Sequence, residues 1–172
     1  MRQTAFEVLY REYYVRVLGL CRRLLNSTDE AEDATQEVFT RAYRQFKKYD
    51  TKRPFWQWIA AIANNHCIDL LRQRTRSSAL FGDEQNETDQ LEGDEEWMLD
   101  QLISYEHADV LNQTISTLSD KYRVPLVLAC LNESSYDEIA GQLNISRNHV
   151  GVLILRAKKQ LRKALLNAQV HA

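Results

Sequence analysis

Two prolines, Pro54 and Pro125, and five glycines are all that interrupt 172 residues. Both residue types break helices, proline through its missing N–H and glycine through its backbone freedom. A chain this poor in them, rich in Leu, Ala, Arg and Glu and 44% hydrophobic, is predicted to be all-α with enough apolar surface for a core. The longest apolar run, VPLVLACL at 124–131, is far shorter than the ~20 residues that span a bilayer. The opening MRQTAFEVLYREYY is polar and aromatic, unlike a secretory signal. No membrane association and a cytoplasmic location are therefore expected.

Charge is segregated along the chain. Residues 1–76 hold 14 Lys/Arg against 9 Asp/Glu, residues 77–109 hold 11 acids and no base, and residues 110–172 hold 8 bases against 4 acids. Two cationic blocks flanking an acidic one suggest two modules that meet a polyanion. The predicted organisation is a helical domain over 1–76, a flexible acidic linker over 77–104 and a second helical domain over 105–172. The linker, which opens with SSALFGDEQNETDQLEGDEEW at 77–97, is either a solvated tether or an acidic strand that mimics nucleic acid in a basic channel. Cys21, Cys67 and Cys130 form no CxxC, and His66, His107, His149 and His171 add no zinc spacing. No disulfide framework, metal or other cofactor is expected.

In the first domain, Phe6, Leu9, Tyr10, Tyr13, Val17, Leu20, Cys21 and Leu24 recur at steps of three and four, an amphipathic helix. Ser27 with Glu30 is a capping-box signature for the next helix, whose apolar line is Ala31, Ala34, Val38 and Ala42, with Phe39 and Phe46 alongside. Its other side shows Asp33, Gln36, Glu37 and Arg41. Pro54 favours a first-turn position in a third helix, PFWQWIAAIANNHCIDLLRQRTR. The packed side is predicted to be Phe55, Trp58, Ile59, Ile62, His66 and Leu70. A second line, Gln57, Ala61, Asn65, Ile68, Arg72 and Arg76 with Asn64 at its border, mixes amides and guanidiniums. Together with Trp56 and the basic, aromatic loop Lys47, Lys48, Tyr49, Lys52 and Arg53, it suits single-stranded nucleic acid: aromatics stack bases, amides bond base edges, cations neutralise phosphate. The alternative is that both tryptophans are core and the arginines only complement the helix dipole.

In the second domain, residues 97–118 repeat Leu99, Leu102, Ile103, Val110, Leu111, Ile115 and Leu118 at helical spacing, and Ser119 is placed to cap DKYRVPLVLACL. The segment SSYDEIAGQLNISRNHVGVLILRAKKQLRKAL carries a capping box (Ser135, Glu138), inward Ile139, Ala140 and Leu143, and Asn144 where a turn needs positive φ. Ser146 then caps a second helix with inward Val150, Leu153 or Ile154, Ala157, Leu161 and Leu165. This is a helix-turn-helix pattern, in which the second helix enters the major groove by its start. Arg147, Asn148 and His149 are placed to reach base edges, and Arg156, Lys158, Lys159 and Arg162 to meet phosphates. An αα-hairpin for protein contacts is the alternative.

Taken together these segments resemble the extracytoplasmic-function (ECF) sigma factors of the sigma-70 family over nearly the whole chain. DEAEDATQEVFTRAYRQF is similar to the family's region 2.2, FWQWIAAIANNHCIDLLRQR to regions 2.3 and 2.4, and SYDEIAGQLNISRNHVGVLILRAKKQLRKAL to region 4.2. The resemblance implies two small helical domains and a subunit that directs core RNA polymerase to promoter DNA, under control of an anti-sigma factor. It implies that Asp33, Gln36, Glu37 and Arg41 dock on the β′ clamp helices. It implies that Tyr49, Lys52, Arg53, Trp56, Asn64, Asn65, Arg72 and Arg76 bind the melted minus-ten element. Region 4 is then expected to meet the β flap and to read the duplex minus-thirty-five element through Arg147, Asn148, His149 and Arg156, with Lys158 and Lys159. One departure stands out: HVGVLI replaces the family's TVKSRL-like run, so that Gly151 and Leu153 occupy positions that are usually basic.

No GxSxG, P-loop or HExxH occurs, so no catalytic residues are expected. The rival readings are a stand-alone helix-turn-helix regulator, which predicts a palindromic site read without polymerase, and a helical adaptor with no salt-dependent DNA affinity.

Overall fold

The computed structural model describes residues 2–75, 80–82 and 108–170. Among them the chain forms seven α-helices and no strand. It divides into two compact units, residues 1–76 and 77–172.

The first unit is three helices, α1 (Arg2–Leu25), α2 (Thr28–Gln45) and α3 (Phe55–Thr75), each packed on the other two. Asn26, left-handed at φ 54°, ends α1, and its N–H returns to the Arg22 carbonyl at 2.8 Å. Ser27 then starts α2 by accepting the Glu30 N–H. The reciprocal half of the expected capping box gives way to another contact, because the Glu30 carboxylate pairs with Arg74. The core is small where helices approach closely and aromatic where they part. Ala31, Ala34 and Ala42 of α2, Ala60 and Ala63 of α3, and Cys21 of α1 are all buried. Phe6 meets Phe39, Tyr43 and Phe46 edge-on, with ring centroids 5.1–6.4 Å apart, pairs that each add about 0.5–1.5 kcal/mol beyond burial.

The packed face of α3 is rotated from the expected one. Phe55, Ile59, Ala60, Ala63, Asn64, Cys67, Ile68 and Leu71 are buried, whereas Trp58, Ile62, His66 and Leu70 are half-buried at the flank. Pro54 stands just before α3, its carbonyl accepting the Trp58 N–H.

The second unit comprises α4 (Ala108–Thr117), α5 (Asp120–Cys130), α6 (Tyr136–Leu143) and α7 (Arg147–Val170). The long α7 is the spine on which α4, α5 and α6 pack. Its inward line, Val150, Leu153, Ile154, Ala157, Leu161 and Leu165, is buried as the periodicity predicts. Pro125 lies inside α5. The expected cap, Ser119, precedes α5 but makes no side-chain bond to it. Arg123, only 2% exposed, instead ties the α4–α5 junction, donating to the Leu118 carbonyl at 2.9 Å and pairing with Asp120. Of the predicted helix over 97–118, residues 97–107 lie outside the described residues. So does most of the predicted linker, although Phe81 within it is 2% exposed.

Candidate nucleic-acid and polymerase interface

The loop between α2 and α3 is closed by its own hydrogen bonds. The Asp50 carboxylate accepts the Lys52 N–H at 3.0 Å, the Asp50 carbonyl accepts the Arg53 N–H at 3.0 Å, and the Tyr49 hydroxyl donates to the Arg53 carbonyl at 2.5 Å. Tyr49 also sits among Phe46, Phe55 and Trp58, with centroids 4.9–6.0 Å away. Desolvation raises the pKa of its hydroxyl, which stays a protonated donor. The result is a preformed loop with Lys47, Lys48, Lys52 and Arg53 exposed around it.

Beside the loop, Trp56 is half-buried and stacks on Tyr13 at 6.5 Å and 15°. The Arg16 guanidinium lies over its indole, 3.8 Å from the ring centre. Trp56 is therefore not an open platform on both faces, and its placement draws Arg16 into the site. Sequence reading missed Arg16, because nothing local in α1 announces a cation–π partner forty residues away.

Along α3, Gln57, Ala61 and Asn65 are exposed and Arg72 is partly so. Asn64 does not share their exposure: at 3% it lies in the packed face. Ile68, assigned to the same line, is also core. Arg76 lies outside the described residues. Arg74, two residues beyond Arg72, is committed elsewhere. Both its terminal nitrogens donate to the Leu25 carbonyl at 3.1 Å, and one pairs with Glu30, so it ties α3 to the end of α1 and the start of α2.

On α2, Asp33 and Gln36 are exposed, and Glu37 pairs with Arg41 at 2.8 Å. The Arg41 hydrogen bond holds the Glu37 carboxyl below its usual range. The groove between α2 and α3 is lined by Asp33 and Glu37 on one side and by His66 and Leu70 on the other. His66 is thus a groove residue rather than the expected core histidine. Desolvation, then the nearby Arg41 charge, lower its pKa below the ordinary imidazole value.

In the second unit the helix-turn-helix is built as its sequence indicates. The capping box of Ser135 and Glu138 is complete, with bonds of 3.1 and 3.2 Å. Asn144 is left-handed, at φ 56° and ψ 47°. The Asn144 and Ile145 N–H groups both return to the Ala140 carbonyl, which closes α6 as a Schellman-type turn. Ser146 caps α7 by accepting the His149 N–H at 3.1 Å. That turn exposes Arg147 and Asn148 at the start of α7. Arg147 leans on Asp137 at 3.4 Å, with both side chains well exposed, a pairing worth little and easily exchanged. His149 is a correction: at 8% exposure it is held inward by its place in the first turn, and its Nε2 is buried without a hydrogen-bond partner. Leu153 is fully buried, so no phosphate contact arises there. Lys159 is exposed, and Arg156 and Lys158 are partly so.

Among the described residues no group of three His, Cys, Asp or Glu could hold a metal ion, and no helix is long and apolar enough to cross a membrane. Fold and site together define a DNA-binding protein of two helical units, one of them ending in a helix-turn-helix.

The comparisons with known proteins give the family. Residues 9–77 match Sigma-70 region 2, and residues 108–161 match Sigma-70, region 4. The chain is 34% identical over 168 residues to the ECF RNA polymerase sigma factor SigW of Bacillus subtilis, covering 95% of this chain and 90% of that one. It is 30% identical to the RNA polymerase sigma-H factor of Pseudomonas aeruginosa, covering 94% and 86%. A solved structure of CnrH in complex with the cytosolic domain of CnrY matches with a TM-score of 0.55 and 27% identity, covering 96% of this chain and 90% of that one. The chain belongs to the ECF branch of the sigma-70 family of RNA polymerase sigma factors. The likeness runs through both units in order, which favours this reading over a stand-alone helix-turn-helix regulator.

Proposed function

We propose that the chain is a detachable promoter-specificity subunit, read in the cytoplasm by core RNA polymerase and free of catalytic chemistry of its own. In this reading Asp33, Gln36, Glu37 and Arg41 of α2 dock on the β′ clamp helices. Tyr49, Lys52 and Arg53 of the preformed loop, with Trp56, Asn65, Arg72 and Arg76, hold the melted minus-ten strand. Arg147 and Asn148 read the duplex minus-thirty-five element, with Arg156, Lys158 and Lys159 on phosphates, and the second unit meets the β flap. The acidic stretch 77–104 runs along a basic channel of the polymerase. A partner that clamps the two units holds the subunit off; CnrH, a structural relative, is solved in complex with the cytosolic domain of CnrY.

The observation that carries the minus-ten reading is the exposed edge of α3. Asn65 faces out one residue from buried Asn64, on the helix that follows a loop closed by its own hydrogen bonds. A preorganised loop lowers the ordering cost of binding an unpaired base. The test is run-off transcription with purified core polymerase on genomic fragments. Asn65→Ala is expected to impair opening on duplex promoters and to recover on a pre-melted template. Asn64→Ala, a core change, is expected to lower thermal stability without that template dependence. Equal activity of Asn65→Ala and wild type on duplex DNA would refute the assignment.

A further inference from the structure

Gly151 leaves a specific feature on the surface of α7. A groove runs along this helix, with Arg147 and Asn148 at one end, Lys158 at the other, and Gly151 and Leu155 between them. The spacing, with steps of four, four and three from Arg147, keeps these residues on one face of the helix. The opposite wall is Tyr136, the first residue of α6, which is 37% exposed. A Cβ built on Gly151 would stand 3.7 Å from the Tyr136 Cε2, an ordinary van der Waals separation, and would meet nothing else within 4 Å. A methyl group placed on Gly151 would therefore rest against an aromatic edge on one side. Glycine inside a helix is otherwise unfavourable, and neither close packing nor positive φ explains it here.

We propose that Tyr136 and Gly151 form an apolar notch that takes the C5 methyl of a thymine in the major groove. This rests on the reading of α7 as the minus-thirty-five helix and adds to it a residue from the preceding helix, Tyr136, together with a base preference. The occupant is argued from charge and geometry. The notch lies between cationic Arg147 and Lys158, on the exposed start of the second helix of a helix-turn-helix, which is the part that enters the major groove. In that groove the thymine methyl is the one apolar group that distinguishes a base pair. A partner helix would have to match the two flanking cations, Arg147 and Lys158.

The test uses the full chain with core polymerase and a promoter library randomised upstream. From a selected promoter, each upstream thymine is replaced in turn by deoxyuridine, which removes only the methyl. Wild-type holoenzyme is expected to lose roughly fourfold in open-complex affinity at one thymine, the value of one buried methyl. Gly151→Ala fills the notch with the protein's own methyl. It is expected to fold, melting roughly 4–8 °C higher through helix propensity, and to lose the thymine-to-uracil discrimination at that position. Tyr136→Ser is expected to weaken the same discrimination by removing the wall. Equal use of thymine and uracil at every upstream position by the wild type overturns the proposal, as does undiminished discrimination in Gly151→Ala. Either result, obtained with robust promoter-dependent transcription, leaves the sigma-factor reading standing. Absence of any promoter-dependent transcript from the library overturns both.

Discussion

Asn144 offers the most direct test of how this sequence aims its duplex-reading helix. It sits at φ 56° and ψ 47°, and its N–H and that of Ile145 both converge on the Ala140 carbonyl. Both bonds require the left-handed conformation, which costs an ordinary L-residue roughly 1–2 kcal/mol, costs asparagine less and costs glycine almost nothing. Asn144→Ala is therefore expected to destabilise the second unit by about 1 kcal/mol, and Asn144→Gly by close to zero. For a domain of this size 1 kcal/mol corresponds to a fall in Tm of roughly 4–8 °C. The measurement is thermal unfolding of the full chain, with amide hydrogen exchange at Val150 and Leu153 to assign the loss to the second unit. Promoter binding should follow the same order, wild type and glycine together and alanine below, because the turn sets where Arg147 and Asn148 point. If alanine melts with the wild type, or glycine loses as much as alanine, the account of the turn is wrong.

Two further outcomes are expected. Arg74→Met keeps the aliphatic stem and removes the donors to the Leu25 carbonyl and Glu30. It should cost the first unit about 1–2 kcal/mol in a urea titration and leave the salt dependence of DNA binding unchanged, whereas Arg72→Met should flatten that dependence by about one counterion. His66 has a folded-state pKa below its unfolded value because of desolvation and the Arg41 charge. The unfolded chain thus binds more protons as the pH falls below about 6.5, and stability is lost in that direction. The drop in Tm between pH 7.5 and 5.5 should be smaller in His66→Gln than in wild type, and an equal drop would contradict the assigned environment of His66.

The elements themselves were legible because their signals are local. Asn144, Ser135 with Glu138, Ser146 and the apolar lines of α2 and α7 each act within one helical turn or across one short loop, and all appear as read. The face of α3 was misread for a tertiary reason. Its large residues Trp58, Ile62 and Leu70 suggested the core side, but α3 touches both α1 and α2. Close approach to two helices selects the small residues Ala60 and Ala63, with Asn64 between Ala63 and the buried Cys67. The aromatics sit at the end of α3, where the loop is built. Hydrophobic size was the visible signal, and fit between three helices was the deciding one. Arg16 and Tyr136 went unread for the same reason, since each acquires its role from a neighbour on another helix.

The cations of α3 show how far a count of charge falls short of a surface. Arg72 and Arg74 are two residues apart on α3 and so lie about 200° from each other around the helix. A basic tail that looks continuous in sequence is therefore split around the helix, and Arg74 lies on the side where the carbonyl end of α1 needs a donor. The same division occurs in α7. His149 and Leu153 turn inward to hold α7 in place, and Arg147, Asn148, Gly151 and Lys158 remain along the outer stripe. An outer stripe with one cation at each end and a glycine between them reads fewer phosphates than a uniformly basic helix. In the proposed reading an apolar contact at Gly151 then adds to the base-edge bonds of Arg147 and Asn148, where a cation at that position would have added a phosphate contact.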